Sequence, residues 1–591
     1  MVINNFKRKV EGIYMRKKVN KKNYNKKALL TAGAIAGVAT IAAVKAKKMK
    51  DKSRQPQITR PMIDSEENQV YLVGGGLASL AAAAYLIRDC NFKGENIHIY
   101  EGLKVLGGSN DGAGSATEGF VCRGGRMLNE ETYENFWELF SSIPSLDFPG
   151  KSVTEEILNF DHLHPTHAQA RLIDKYGSIL NAHTMGFDNT DRMLLSKLWF
   201  TPEDKLDNLT IEDWFGKSKN FFQTNFWHMW QTTFAFQKWS SLFEFKRYIG
   251  RMILEYSRID TLAGVTRTPY NQYDSVILPI KSYLSGFGVD FNTSAIVTDI
   301  DFNKGEGITA TAIHIEEDGE EKVITLEDGD VCIATLGCMT DSSTLGDMNT
   351  APEYKPNNPI SGDLWSKIAG KKPGLGNPEP FFGNPERTNW ESFNVTFKGD
   401  KMLKLIEQFS GNIPGSGALM TFKDSSWLMS IVVAAQPYFR SQPMDTTMLW
   451  AYGLYTDRIG DYVKKPMREC TGEELLTELI CQLHMEEHLD EIMKSVVNVI
   501  PCMMPYIDSQ FEPRKMSDRP KVVPDGSTNF AMIGQYVEIP EDMVFTEEYS
   551  VRGARIAVYE LFGVKNKKIC PVTEYKKDPK ILMKAVKTSF R

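Results

Sequence analysis

Twenty residues, VYLVGGGLASLAAAAYLIRD (70–89), narrow the folds open to this chain more than any other stretch. VYLV is apolar without alternation, as in a strand buried on both faces. The glycines after it form a turn, and LASLAAAAYLI is an alanine-rich helix. Gly74 permits the tight turn, and Gly76 lets a pyrophosphate approach the helix N-terminus. Ser79 stands where close helix–strand packing usually takes a third glycine, and it is small enough to keep that packing. The next strand, NIHIYE (96–101), closes on Glu101, twenty-seven residues after Gly74, where an acid can bond ribose hydroxyls. Strand, glycine turn, helix and acid together predict a nucleotide-binding α/β domain of Rossmann type.

The stretches that follow point to a flavin dinucleotide. LKVLGGSNDG (103–112) supplies a second glycine loop with Gly107, Gly108 and Ser109, and FVCRGGRMLNEE (120–131) adds Arg123, Gly124 and Gly125. An NAD-only domain would pass straight into its next βα unit, whereas two-domain FAD proteins wrap the cofactor in such loops. Near the C-terminus, NFAMIGQYVE (529–538) reads as a strand ending on Gly534. VFTEEYSVRGARIAVYELFG (544–563) reads as a helix carrying Ser550. The chain thus returns to the cofactor. The expected fold is α/β: a discontinuous Rossmann-type FAD-binding domain with an inserted mixed α/β substrate domain and a helical region. Its parts are expected at 70–190, 261–349 and 504–564, the helical insertion at 191–260 and the substrate domain at 350–503.

Charge separates the N-terminus from this body. Residues 1–54 hold 16 Lys and Arg against Glu11 and Asp51, so the rest carries a net −20 of the chain's −6 total. An acidic body is a poor nucleic-acid partner, since phosphate contact needs clustered cations. Within the basic arm, ALLTAGAIAGVATIAAV (28–44) is seventeen uncharged residues flanked by lysines. That is the short limit for spanning a bilayer and is read as an uncleaved membrane anchor, followed by a polar linker at 55–69. The basic, amphipathic tail within 565–591 adds to the expectation of membrane association. Eight scattered cysteines without a CxxC pair indicate neither a disulfide framework nor a zinc site, and free thiols favour a cytoplasmic body. HMEEH (484–488), after a helix start at Thr471, has the spacing of a two-histidine zinc motif. Charged helices produce such pentapeptides by chance, and no metal is expected.

NFWHMWQTTFAFQKWSSLFEFKRY (225–248) holds nine aromatic residues in twenty-four and ends on Tyr248. This run, with RGGR (123–126), YNQYDS (270–275), MPYIDSQFEPR (504–514), DRPKVVPDG (518–526) and VFTEEYSVR (544–552), resembles the oleate hydratase family, the FAD-containing fatty-acid hydratases also called myosin-cross-reactive antigens. The similarity covers roughly 68–590. It implies addition of water across the cis-9 double bond of an unsaturated fatty acid, oleate giving the 10-hydroxy acid, with FAD present but no net redox, and a homodimer. An apolar chain asks for an apolar tunnel, which aromatic rings line well, and protonating an alkene builds carbocation character that aromatic faces stabilise.

By the resemblance, Tyr248 is the proton donor. The family places a water-activating glutamate straight after RGGR; here that position is Met127, and Glu130 or Glu131 is the expected substitute. Gln272 matches the family's polar residue at the fatty-acid head group. Val432, Ala434 and Tyr438 stand where Thr, Asn and His are usual, so Tyr438 is the remaining donor of that set. Two rival readings share the cofactor fold, which does not determine the reaction. One is an FAD-dependent oxidoreductase, amine-oxidase-like or desaturase-like, acting on an apolar substrate; the other is a lipid and flavin binder without turnover.

Overall fold

A five-stranded parallel sheet organises the computed structural model, which describes residues 63–125, 127–357 and 359–591. Its strand order is Phe530–Ile533, Val331–Thr335, Val70–Val73, Ile97–Glu101, Asp290–Thr293, with every neighbouring pair parallel. Val70–Val73 lies at the centre and is buried along its whole length, which accounts for its unbroken apolar sequence. The helix Leu77–Cys90 covers one face and packs on the helix Glu547–Leu561. Alanines at 81–84 are 0–1% exposed; a larger residue there would push the two helices apart. The apolar segment 28–44, the linker up to residue 62 and Arg126 lie outside the described residues. Among the described residues no helix is long and apolar enough to cross a membrane.

A second sheet of seven strands is mostly antiparallel, its middle formed by Val496–Met504, Trp390–Lys398, Thr446–Gly453 and Met429–Val432. The hairpin Gly112–Ser115 and Gly119–Cys122 joins the two sheets. Phe120 N–H donates to Thr396 Oγ1 at 2.9 Å, and the Asn394 amide donates to the Cys122 carbonyl at 3.0 Å. Those bonds pin the RGGR loop, which follows Cys122 directly, against the second sheet.

The aromatic run divides into two helices, Asn225–Phe234 and Leu242–Arg251. Ala235, with φ of 60°, ends the first. Ser241 caps the second by accepting from Glu244 N–H. Buried ion pairs lock the second helix to the C-terminal segments. Glu244 meets Arg514 at 2.8 Å, Arg247 meets Glu538 at 2.7 Å, and Arg251 meets Asp542 at 3.0 Å. The short helix Ile253–Tyr256 follows and packs on the C-terminal helix Pro579–Thr588. Further on, Thr471 begins its helix with the reciprocal cap its sequence suggests, Thr471 and Glu474 each accepting from the other's N–H. That helix stops at Gln482, however, and Glu486–His488 is a 3-10 turn. HMEEH therefore does not lie along one helix, a correction to the expected spacing.

Candidate active site

Two cavities meet at the RGGR loop. The first, about 390 Å³, opens at the C-terminal ends of the parallel strands. Gly74, Gly76, Glu101, Gly107, Gly108, Ser109, Arg123, Gly534 and Ser550 all line it. Gly74 has φ of +91°, the turn conformation that favours glycine. A side chain at Gly75 would meet Leu106 Cδ2 at 2.5 Å, so the loop must stay bare for another reason than ligand approach. At Gly76 no atom lies closer than 3.8 Å to an added Cβ, which leaves open space at the N-terminus of a fourteen-residue helix without a side-chain cap. The amides of that first turn suit a pyrophosphate. Glu101 accepts from Gly75 N–H and Leu103 N–H, each at 2.8 Å; a carboxylate offers about four acceptor positions, so two remain for ribose hydroxyls. The residues present fit a dinucleotide.

Two cofactor expectations take a different form. Ser79 is fully buried and its hydroxyl meets Thr335 Oγ1 at 3.2 Å, holding helix to sheet outside the cavity lining. Arg123 lines the cavity but is occupied by the protein. It pairs with Asp111 at 2.8 Å and donates to the carbonyls of Gly108 at 2.7 Å and Thr340 at 3.1 Å. It braces the second glycine loop.

The second cavity, about 110 Å³, contains Tyr248. Gly124 and Gly125 line this one, with Met127, Asn129, Phe234, Glu255, Trp390, Trp450 and Tyr452. Phe545, Thr546 and Glu547 line both cavities and form the partition between them. Phe545 holds a φ of 67°, a conformation rare for an aromatic residue. Of the nine aromatic residues in the 225–248 run only Phe234 and Tyr248 reach this lining. Trp227, Trp230, Phe236 and Phe245 are at most 1% exposed and pack on one another, so most of the run is core.

Tyr248 is 1% exposed, and its hydroxyl donates to the Val544 carbonyl at 2.6 Å. Burial pushes its pKa well up, and nearby Tyr133 and Glu244 act in the same direction. Its cationic neighbours in sequence do not offset this. Arg247 and Arg251 are spent on Glu538, Glu203, Asp542 and Glu134, and Lys246 donates to the Thr201 carbonyl. The phenol is thus held as a neutral O–H donor.

Neither expected carboxylate substitute lines the Tyr248 cavity. Glu130 is exposed, 3.5 Å from His162, and Glu131 pairs with Arg258 at 2.9 Å. Two other carboxylates line it: Glu547, in the partition and accepting from the Asn110 amide at 2.8 Å, and Glu255, seven residues after Tyr248. Glu255 sits on the next short helix, Ile253–Tyr256, after the break at Met252, so no single helical face links it to Tyr248 and no sequence motif marks it.

Gln272 and Tyr438 come together around a residue that sequence reasoning passed over. Arg267, with Thr268, Tyr438, Ala434 and Phe160, lines a small third cavity of about 10 Å³. Gln272 donates to Thr268 Oγ1 at 3.3 Å. Arg267 is 7% exposed, and its Nε and Nη2 have no hydrogen-bond partner among the described residues. Burial lowers its pKa, while Tyr438 and Asp161 hold it up. This cavity and the Tyr248 cavity run along the same two stretches, Val265 to Thr268 and Val432 to Ala435.

The model of the MCRA family matches residues 67–559. A linoleate hydratase of Lactiplantibacillus plantarum is 39% identical over 563 residues, covering 89% of this chain and 99% of the relative. An oleate hydratase of Streptococcus pyogenes serotype M49 is 38% identical over 514 residues, covering 84% and 86%. Among solved structures, a putrescine oxidase bound to putrescine superposes with a TM-score of 0.50 at 12% identity, over 84% of this chain and 99% of that one. That last likeness is one of fold.

Proposed function

The chain belongs to the MCRA family, and from that premise we propose that it is a hydro-lyase, a fatty-acid hydratase that adds water across the cis-9 double bond of unsaturated acids such as oleate. The observation that carries the reading is the pairing of a buried phenol in an apolar cavity with an unpartnered buried guanidinium one step along the same two chain segments. Arg267 holds the fatty-acid carboxylate, aided by Gln272 and Tyr438, and the hydrocarbon chain runs past Val265 and Val432 toward Tyr248. Charge-assisted hydrogen bonds to a dry guanidinium fix which carbon stands at the phenol. The cavity at Tyr248 is below the roughly 300–1,000 Å³ of common ligand pockets, so a long chain enters by displacing side chains.

Tyr248 gives its proton to one alkene carbon, and the ring faces of Trp390, Trp450 and Tyr452 stabilise the positive charge that develops on the other. FAD belongs in the larger cavity, its pyrophosphate on the amides after Gly76 and its ribose at Glu101. When bound it would supply an electron-rich ring system and undergo no net redox change. The flavin domain comprises 70–190, 261–349 and 504–564, with the helical insertion at 191–260 and the substrate domain at 350–503. We assign a homodimer as the active species. The body is held near the cytoplasmic face of a membrane by residues 28–44 and by the C-terminal helix. That helix and the residues just after it leave Met583, Val586 and Phe590 48–60% exposed, with lysines at 580, 584 and 587, which suits an anionic lipid surface.

The test is incubation of the purified protein with FAD, a reductant and oleate or linoleate in oxygen-18 water. A hydroxy acid carrying one heavy oxygen, with no acceptor consumed, is the expected product. Hydrogen peroxide with a bleached flavin, or no hydroxy acid from either substrate, refutes the reading.

A further inference from the structure

The loop that lacks the family's glutamate is the loop that holds another one. Leu128 pairs with Thr266 through both backbone bonds, at 3.0 and 2.9 Å, which lays residues 127–129 antiparallel beside 265–267. Asn129 is 3% exposed; its amide donates to the Gly264 carbonyl at 2.8 Å and to Glu255 Oε1 at 2.9 Å. Arg258 Nε donates to the same Oε1 at 3.0 Å. Glu255 is itself 3% exposed and lines the Tyr248 cavity, and its Oε2 has no hydrogen-bond partner among the described residues. One carboxylate oxygen is thus fixed by two donor groups while the other is left over in a cavity with an acid.

We infer that Glu255 is the base that activates the water added to the alkene, taking over the role that Met127 cannot fill; the inference rests on the hydratase reading. Tyr248 and Glu255 line the same cavity from two successive helices, Leu242–Arg251 and Ile253–Tyr256. The two alkene carbons and a water lie between phenol and carboxylate, as a water lies between the acid and the base of inverting glycosidases. The Tyr248 O–H bond breaks and its proton forms a C–H bond with one carbon as the π bond opens. The water oxygen forms a C–O bond with the other carbon, and the proton it sheds goes to Glu255 Oε2. Return of that proton to the phenolate through water restores both groups, and no electron leaves the site. Burial, the largest influence on Glu255, raises its pKa against the pull of Arg258. A dry carboxylate raised in this way is a stronger base than one in water.

The test compares flavin-loaded wild type, Glu255→Gln and Glu255→Asp in steady-state oleate hydration across the acid range of pH. The glutamine variant is expected to lose kcat by about 100-fold or more with KM little changed, the span of a general base. Wild-type activity falls as pH drops through the pKa of Glu255, and the residual activity of the glutamine variant lacks that fall. A carboxylate with only a structural role would leave the pH profile in place. Should Glu255→Gln fail to fold or retain flavin, Glu255→Asp decides: it keeps the charge one methylene short, and is expected about 10-fold slower with the acid limb intact. A folded Glu255→Gln with more than half the wild-type kcat, or with an unchanged acid limb, overturns the assignment. So does an aspartate variant as fast as wild type, because the reach of the carboxylate would then be immaterial. A wild type that hydrates nothing instead overturns the functional reading beneath it.

Discussion

Replacing Arg267 with methionine should weaken substrate binding and leave the protein as stable as before or more so. Two guanidinium nitrogens of Arg267 are buried without a hydrogen-bond partner among the described residues, and burial already presses the group toward its neutral form. A fatty-acid carboxylate arriving there makes up to two charge-assisted hydrogen bonds, each contributing about 1.5–3 kcal/mol. Desolvating the carboxylate offsets roughly one of them, so the net loss in Arg267→Met is about 1.5–3 kcal/mol, a 10- to 150-fold weaker Kd. Methionine has a similar stem without the charge, and it removes the cost of burying those unsatisfied donors, about 1–3 kcal/mol. Calorimetric titration with oleate and with oleyl alcohol, its neutral analogue, reads the first effect. Wild type should prefer the acid and the variant should not discriminate. Denaturant unfolding reads the second. A variant that is less stable and keeps the wild-type acid-to-alcohol ratio would show that Arg267 serves the fold, through Asp161, and refute the head-group assignment.

Tyr248→Phe should lose about 100-fold or more in hydration rate while its unfolding free energy falls only about 1 kcal/mol, the worth of the bond to the Val544 carbonyl; parallel kinetics and denaturant titration check both. Gly75→Ala would drive a methyl group to within 2.5 Å of Leu106 and 2.9 Å of Glu101 Cβ, so the purified variant should carry less flavin by absorbance than wild type. Burial lowers the pKa of His228 to about 4, against about 6.5 in an unfolded chain. The unfolded state therefore binds more protons between those values, and the melting temperature should fall as pH drops from about 6.5 through 4. His228→Gln should flatten that part of the curve; an unchanged slope would mean other groups set it.

The cofactor half is legible in sequence because its signals are local. Gly74, Gly76 and Glu101 report a turn, a helix start and a strand end, each decided by neighbours within a few residues. The substrate half is legible only as far as the family resemblance carries it, and there the structure redistributes the parts. Gly124 and Gly125 look like cofactor glycines next to Arg123, yet they line the Tyr248 cavity because the hairpin bonds to Asn394 and Thr396 turn the loop toward the second sheet. Lys246, Arg247 and Arg251 crowd Tyr248 in sequence, but the direction of a side chain depends on partners such as Glu538 and Asp542, almost three hundred residues away. Glu255 and Arg267 carry no motif at all. What marks them is an oxygen and two nitrogens that are buried without a hydrogen-bond partner among the described residues and belong to cavity-lining side chains, and that can be read only from a folded chain.

The parallel sheet has a bearing on how the protein is made. Its central strand, Val70–Val73, is synthesised early, but the strand that completes the edge, Phe530–Ile533, and the helix Glu547–Leu561 that buries the alanine face emerge some 460 residues later. At about 5–20 residues per second a ribosome needs roughly 25–90 s to cover that interval. During this time the Ala81–Ala84 face lacks the helix that packs on it, and from its own synthesis onward Val331–Thr335 lacks its neighbour Phe530–Ile533. A nascent chain stalled before Phe530 presents an uncovered apolar surface of the kind chaperones hold.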